Sequence, residues 1–352
     1  MPASPLKPGA RRPLAVVPIV IAMACAGCGS TATSAPPTAS STSTSTTTTT
    51  PISSSSSSSS STSVSASSTT SALPGTGKPP VTIGDKNFTE QFVLGELYQQ
   101  ALQAQGFTVG LNRNIGPTDV TLQALKTGSL AMYPEYLNVF ESAIAHNSRR
   151  YRSRAAAYGA AEDYAQAHGL ELLAPTPFAD TQAIGVTVGY AQANRVRTLR
   201  DLGKVASALT VGGPPQFQQG DPGLITVERR YGFTAAGYKT LAVGDQYTAL
   251  NDGAVQAADV ATTDGELATG NYRPLRDADH LFGWGNAVPV VTARVLDAEG
   301  PAFADTIDRI SALLTTPVMR QLNQAVDVAG QDPATVAKQF LETHGMIPPG
   351  PH

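Results

Sequence analysis

Val81-Thr82-Ile83-Gly84-Asp85-Lys86-Asn87-Phe88-Thr89-Glu90-Gln91 is the stretch on which the fold turns. Val81, Thr82 and Ile83 are all β-branched and read as a short strand ended by Gly84 and Asp85. Asn87 and Glu90 have capping-box spacing, with the Asn87 side chain placed to accept from the Glu90 backbone N–H, so a helix is expected to begin there. Phe92, Val93, Leu97, Ala101, Leu102 and Ala104 recur at helical spacing up to Gly106, a suitable C-terminal cap. Further out, residues 107–111 predict a second strand, residues 118–126 a second helix closed by Gly128, and residues 130–133 a third strand. Strand, helix, strand, helix, strand specifies an α/β unit with a parallel sheet and crossover helices.

The pattern then repeats. A helix over residues 153–168 ends at Gly169, and a strand over 183–188 opens a second alternating run: strand 209–211, helix 223–231, helix 245–250 and strand 257–260. Ala124-Leu125-Lys126-Thr127-Gly128, with its strand running on to Tyr136, aligns without gaps on Ala249-Leu250-Asn251-Asp252-Gly253 running on to Ala261. A strand from Pro289 to Val295 and helices over 301–315, 318–326 and 333–344 complete the chain by packing back on the first half. Two similar α/β lobes are expected, one from residues 80–179 with 286–349 and the other from 180–285.

Residues 1–28 read as an export signal. Arg11 and Arg12 form a positive region ahead of an apolar run from Leu14 to Ala26, far short of the roughly 20 residues that span a bilayer. The only two cysteines, Cys25 and Cys28, lie at its end, so the rest of the chain has no thiol for a disulfide, a nucleophile or a metal site. Residues 29–79 are mostly Ser and Thr, a composition with too little apolar surface to offset the entropy of ordering, and read as a tether open to O-glycosylation. The formal charge of −3 falls to −6 when Lys7, Arg11 and Arg12 leave with the signal. That balance argues against nucleic acid as a partner.

Catalysis has little to stand on. The five histidines, His146, His168, His280, His344 and His352, are scattered, and no HExxH, GxSxG, Walker or GxGxxG motif occurs. No cofactor, metal site or enzymatic role is expected.

Several blocks in order resemble a known family: residues 83–91, Ala124-Leu125-Lys126-Thr127-Gly128 leading to Tyr133-Pro134-Glu135-Tyr136, Tyr231-Gly232-Phe233, Thr262-Thr263-Asp264, and Val336-Ala337-Lys338-Gln339-Phe340-Leu341. Together they are similar to the glycine betaine, choline and carnitine-binding proteins of osmoprotectant ABC importers, and Ala26-Gly27-Cys28-Gly29-Ser30 resembles a bacterial lipobox. The resemblance implies a type II periplasmic-binding-protein fold, two α/β lobes closing over a small molecule and docking on a membrane permease. It also implies a monomer held to the outer face of the cell membrane by lipid on Cys28.

A quaternary ammonium donates no hydrogen bond and is held by aromatic faces, whereas a carboxylate takes Lys, Arg or helix N-terminal amides. The resemblance places Lys86, Asn87, Phe88, Tyr136 and Asp180 at the ligand. Other cage positions fall on Gln182, Ala261 and Gly285, which lack an aromatic ring. Trp284 and Phe217 are expected to restore part of the cage, with Gln216 and Thr262 beside them. A pocket so altered suits either an osmoprotectant or a neutral polar or phenolic molecule. A surface lipoprotein that signals without transport, and a cell-wall hydrolase, are the readings from other classes.

Overall fold

The structure, a computed structural model, describes residues 72–350. The export signal, Cys28 and most of the 29–79 tether lie outside the described residues. The tether's last residues already belong to the body: the Gly75 backbone N–H donates to the Gln105 carbonyl at 2.9 Å, and Lys78 Nζ donates to the Ala298 carbonyl at 2.9 Å. A Cβ on Gly75 would lie 2.2 Å from the Phe107 nitrogen, so only glycine lets this segment approach.

Among the described residues, ten strands form two sheets: β1 (Val81–Gly84), β2 (Val109–Asn112), β3 (Met132–Tyr136), β4 (Leu170–Leu172), β5 (Gln182–Thr187), β6 (Thr210–Gly213), β7 (Gly237–Thr240), β8 (Ala257–Ala261), β9 (Tyr272–Pro274) and β10 (Ala287–Thr292). The first sheet is ordered β2-β1-β3-β10-β4 and the second β7-β6-β8-β5-β9. β1 pairs in parallel with β2 and β3, and β6 with β7 and β8; β10 and β5 each run antiparallel to both of their neighbours. The sheets therefore share one plan, in which β1 matches β6, β3 matches β8 and the reversed β10 matches β5. This is the expected two-lobed α/β architecture. The sequence echo is structural too: Gly128 (φ +77°) and Gly253 (φ +68°) cap the helices that feed β3 and β8.

The Thr89–Ala104 helix anchors the first half. Val93, Leu94, Leu97, Tyr98, Ala101 and Leu102 are buried on it, each large side chain stabilising the fold by about 1.5–3 kcal/mol. They pack against the Pro301–Leu313 and Pro333–Thr343 helices. Tyr98 Oη hydrogen-bonds Ser311 Oγ at 2.9 Å within that interface. The expected capping box is absent: Phe88, not Asn87, is the N-cap residue, and no side chain caps the helix. The strand expected to run to Val295 stops at Thr292, and Ala293–Glu299 is a helix.

Two chain segments cross between the halves, paired through an antiparallel bridge of Ala179 with Asn286. The Asp180 N–H donates to the Gly285 carbonyl at 2.7 Å, and a Cβ at Gly285 would fall 1.7 Å from the Asp180 oxygen. Position 285 thus has no room for the aromatic that the family pattern places there. The C-terminal Thr316–Asn323 helix, continued by a π-helical turn at Gln324–Val328, packs on the Gly265–Thr269 turn of the second half. Among the described residues no helix is long and apolar enough to cross a membrane.

Candidate functional site

Ligands of open α/β sheets bind outside the carboxyl ends of the strands. Here the ends of β1, β3, β6 and β8 and the crossing at Asp180 supply the polar residues. From β3, Tyr136 is buried and its hydroxyl donates to Glu90 Oε1 at 2.8 Å. From the β1 loop, Phe88 stays exposed and stacks on Tyr136 with ring centroids 6.0 Å apart. Glu90, in the first turn of its helix, also accepts from Asn323 Nδ2 at 2.8 Å, and the same amide donates to the Thr263 carbonyl at 2.9 Å. One carboxylate is thereby tied through one asparagine to the second half.

The electrostatics are lopsided. Burial pushes Glu90 above the usual carboxylate range despite hydrogen bonds from Thr263, Asn323 and Tyr136. Burial, then the charges of Glu90 and Asp264, push Asp180 well up, and its Oδ1 has no hydrogen-bond partner. Asp264 is also raised by burial, although Tyr247 Oη and the Ala261 N–H donate to its Oδ2 at 2.7 and 3.0 Å. Burial, helped by Asp264, takes Asp259 up to about 7. Against these acids, the buried Lys86 ammonium is engaged by the fully buried Glu135, and Arg320 Nε donates to the Thr262 carbonyl at 2.8 Å. The cleft therefore holds more acids than free cations, each inclined by burial to keep its proton until a cation arrives, beside two aromatic rings, an environment suited to a cation that carries no hydrogen-bond donor.

Two cavities meet at Gln182. A small one of about 180 Å³ is walled by Pro214, Gln246, Asp259, Ala261 and Asp264 of the second half. A larger one of about 330 Å³ lies between the halves, with Asn138, Glu141 and Tyr151 on one side, Asp221 and Phe282 on the other, and Trp284 at its end. Among the described residues no cluster of three or more metal-ligating side chains is placed to hold an ion.

Residues 79–343 match the family described as the substrate binding domain of ABC-type glycine betaine transport systems. The chain belongs to this family. A glycine-betaine-binding protein of Pseudomonas aeruginosa is 32% identical over 280 residues, covering 76% of this chain and 89% of the relative. The glycine betaine-binding protein YehZ of Escherichia coli is 27% identical over 289 residues, 78% of this chain and 93% of the relative. Among solved structures, that of a glycine betaine/carnitine/choline ABC transporter superposes with a TM-score of 0.71 at 23% identity, covering 76% of this chain and 99% of the other, a likeness of fold. The protein is thus a substrate-binding component of an ABC importer, of an extracytoplasmic family whose members take a small molecule and work with a permease. The relatives are transport proteins rather than enzymes.

The structure gathers Lys86, Phe88, Tyr136 and Asp180, with Asn87 exposed on the loop beside them. Lys86 Nζ lies 5.6 Å from the Tyr136 ring centroid, and its charge is balanced by Glu135 rather than left for a ligand carboxylate. Thr262 spends its hydroxyl on the crossing, donating to the Ala179 carbonyl at 2.7 Å and accepting from the Thr181 N–H at 2.9 Å. Gln182 lines both cavities, whereas Gln216 is exposed and lines neither.

Phe217 requires a correction. It is 1% exposed, packed in the core of the second half with its ring centroid 6.2 Å from that of Phe282, so it offers no face to a ligand. Trp284 lines the larger cavity, donates from Nε1 to the Tyr151 carbonyl at 3.1 Å and stacks on His280 at 4.0 Å. The two do not join Tyr136 in one cage. Glu90, Asp259 and Asn323 were missed as site residues. Glu90 stood in the quoted motif but reads there as a helix cap, and nothing local marks Asn323, which meets Glu90 across 233 positions.

Proposed function

We propose that this protein captures a quaternary-ammonium osmoprotectant of the glycine betaine class outside the cytoplasmic membrane and delivers it to an ABC permease without chemical change. The observation that carries the reading is the surplus of buried acid, Glu90, Asp180 and Asp264, around the paired rings of Tyr136 and Phe88. Both the rings and the carboxylates attract a trimethylammonium group, and burial strengthens each contact. The zwitterion's carboxylate must lie away from those acids. Two relatives are named for binding glycine betaine, in keeping with this assignment.

Tethering completes the proposal. Lipid on Cys28 and the Ser/Thr stretch after it would hold a monomeric binding body away from the membrane surface, within reach of its permease. Mass spectrometry of the membrane fraction should find Cys28 acylated, and Cys28→Ser should release the protein.

Calorimetry on the full chain tests the ligand directly, with glycine betaine, choline, carnitine and a flat phenol as probes. Binding of a quaternary amine, weakened by about 2 kcal/mol in Tyr136→Ala, is the expected outcome. Binding of the phenol with silence toward every quaternary amine would transfer the protein to the neutral-ligand reading.

A further inference from the structure

Positive charge is gathered where the two halves face each other. Residues 149–154 read Arg-Arg-Tyr-Arg-Ser-Arg, and no acidic residue occurs from 142 to 161. Arg149, Arg150, Arg152 and Arg154 are all exposed, on the approach to and first residue of the Arg154–Ala167 helix. Facing them, the Leu224–Tyr231 helix carries the exposed Arg229 and Arg230 in its last turn. Arg150, Arg229 and Arg230 line one hollow of about 290 Å³ together with Asp221 and Thr226. Arg150 belongs to the stretch between β3 and β4, and the other four lie between β6 and β7, so this hollow has walls in both halves.

Local acids answer only part of this charge. Arg230 Nε pairs with Asp279 at 2.8 Å, whereas Arg150 comes no nearer to Asp221 Oδ1 than 3.5 Å, with both of those side chains at least half exposed. An exposed pair of that kind contributes little. Among the described residues Arg152, Arg154 and Arg229 take part in no ion pair. Like charges brought to one hollow repel, and a bound anion reverses the sign of that interaction. Asp221 Oδ1 also accepts from Thr226 Oγ1 at 3.1 Å, so a carboxylate oxygen already stands where a hydroxyl donates and a guanidinium approaches.

We propose that this hollow binds a phosphate-bearing anion, bridged between Arg150 of the first half and Arg229 and Arg230 of the second. Each guanidinium presents its N–H donors in a planar fork that matches paired oxygens. A lone carboxylate has too few oxygens and too little charge for three such forks. A phosphate group offers three strong acceptor oxygens and close to two negative charges. The Thr226 hydroxyl adds a further donor, and the exposed Asp221 is the internal competitor that the anion displaces. Glu90, Tyr136 and Asp180 do not line this hollow, so the site stands independently of the quaternary-ammonium reading.

Calorimetry on the full chain at fixed ionic strength tests this with inorganic phosphate, pyrophosphate and glycerophosphoglycerol, the deacylated headgroup of an anionic lipid, and with acetate as the carboxylate control. Pyrophosphate should bind, about tenfold more weakly in both Arg150→Gln and Arg229→Gln. Asp221→Asn, which removes the competing charge but keeps an acceptor for Thr226, should tighten it about three- to tenfold, a gain that misfolding cannot mimic. Inorganic phosphate preferred to the headgroup would assign the site to free phosphate, and the reverse order to a lipid; both support it. Silence toward all three phosphates, acetate bound as tightly as pyrophosphate, or equal binding by the parent, Arg229→Gln and Asp221→Asn would sink the phosphate site and leave the arginines to an acidic protein surface. A loss in Arg229→Gln with none in Arg150→Gln would refute the bridge between the halves. Glycine betaine should bind the parent and the three variants alike, and its failure to bind the parent would count against the quaternary-ammonium reading alone.

Discussion

Phe88 and Phe217 hold the same place in the two halves, each four residues beyond the glycine that ends the second strand of its sheet, β1 at Gly84 and β6 at Gly213. Their fates differ: Phe88 is 38% exposed against Tyr136, and Phe217 is 1% exposed in the core. The local cause is proline. After β1 the helix waits until Thr89, leaving Phe88 as an extended N-cap residue (φ −151°, ψ 159°). After β6, Pro214 and Pro215 begin a helical turn, Pro215–Gln219, three positions sooner relative to the strand end, and Phe217 rides inside it and turns toward the sheet. One topological slot thus presents an exposed ring in one half and a core ring in the other. The pair of strands that follow diverges in the same way: β3 ends on Tyr136, while β8 ends on Ala261 with Asp264 just beyond. The first half brings the rings together with Glu90, and the second brings Asp259 and Asp264.

Truncating the two phenylalanines breaks the comparison most strongly. Phe217→Ala should cost about 3–5 kcal/mol of stability, because a fully buried ring leaves a cavity its neighbours only partly refill. Phe88→Ala should leave the urea midpoint nearly unmoved and weaken glycine betaine instead. Urea denaturation and calorimetry on both variants decide it; equal losses of stability would show that the halves are not divided in this way.

Glu90→Gln comes next. It keeps the shape at the junction of Tyr136 and Asn323 but removes the charge, and cationic ligands should lose about 2 kcal/mol, roughly thirtyfold in affinity. A variant that binds glycine betaine as well as the parent would place the cation elsewhere.

The same acids set a pH dependence. Burial raises Glu90 and Asp180, and takes Asp85 up to about 6 and Asp259 up to about 7, from ordinary values of 3.8 for aspartate and 4.5 for glutamate. Their protons are therefore held more tightly in the fold than in the unfolded chain. The unliganded protein is most favoured at low pH on this account, and loses stability as pH rises from about 4 through 7. A bound cation favours the ionised acids, so its affinity should climb over the same interval. Thermal melts at pH 5 and pH 8 should show a lower Tm at pH 8 without ligand and a larger ligand-induced rise there; a higher unliganded Tm at pH 8 would refute the protonated cleft.

Much of this was legible beforehand. The Thr118–Lys126 and Leu224–Tyr231 helices and β8 fall within a residue of their expected bounds, because apolar spacing and glycine caps mark them locally. The short strands β4, β7 and β9 escaped notice, being three or four residues long and specified by the neighbours they pair with. At the site, Lys86, Phe88 and Tyr136 were readable from the motif. The inward turn of Phe217 was not, since a lone aromatic in a loop has no period to reveal its direction.

The gentlest change tests whether the halves can be made alike. Ala261 matches Tyr136 in sheet position and is half-buried on the wall of the 180 Å³ cavity beside Gln182 and Asp264. Ala261→Tyr would fill part of that space and set a third ring face against the cation, while its hydroxyl has Gln246 and Asp259 on the same wall as partners. A single exposed cation–π contact contributes about 0.5–1 kcal/mol, so glycine betaine should bind about two- to fivefold tighter. Calorimetry with glycine betaine checks it, and an affinity left unchanged or lowered by the new ring would place the cation away from the end of β8.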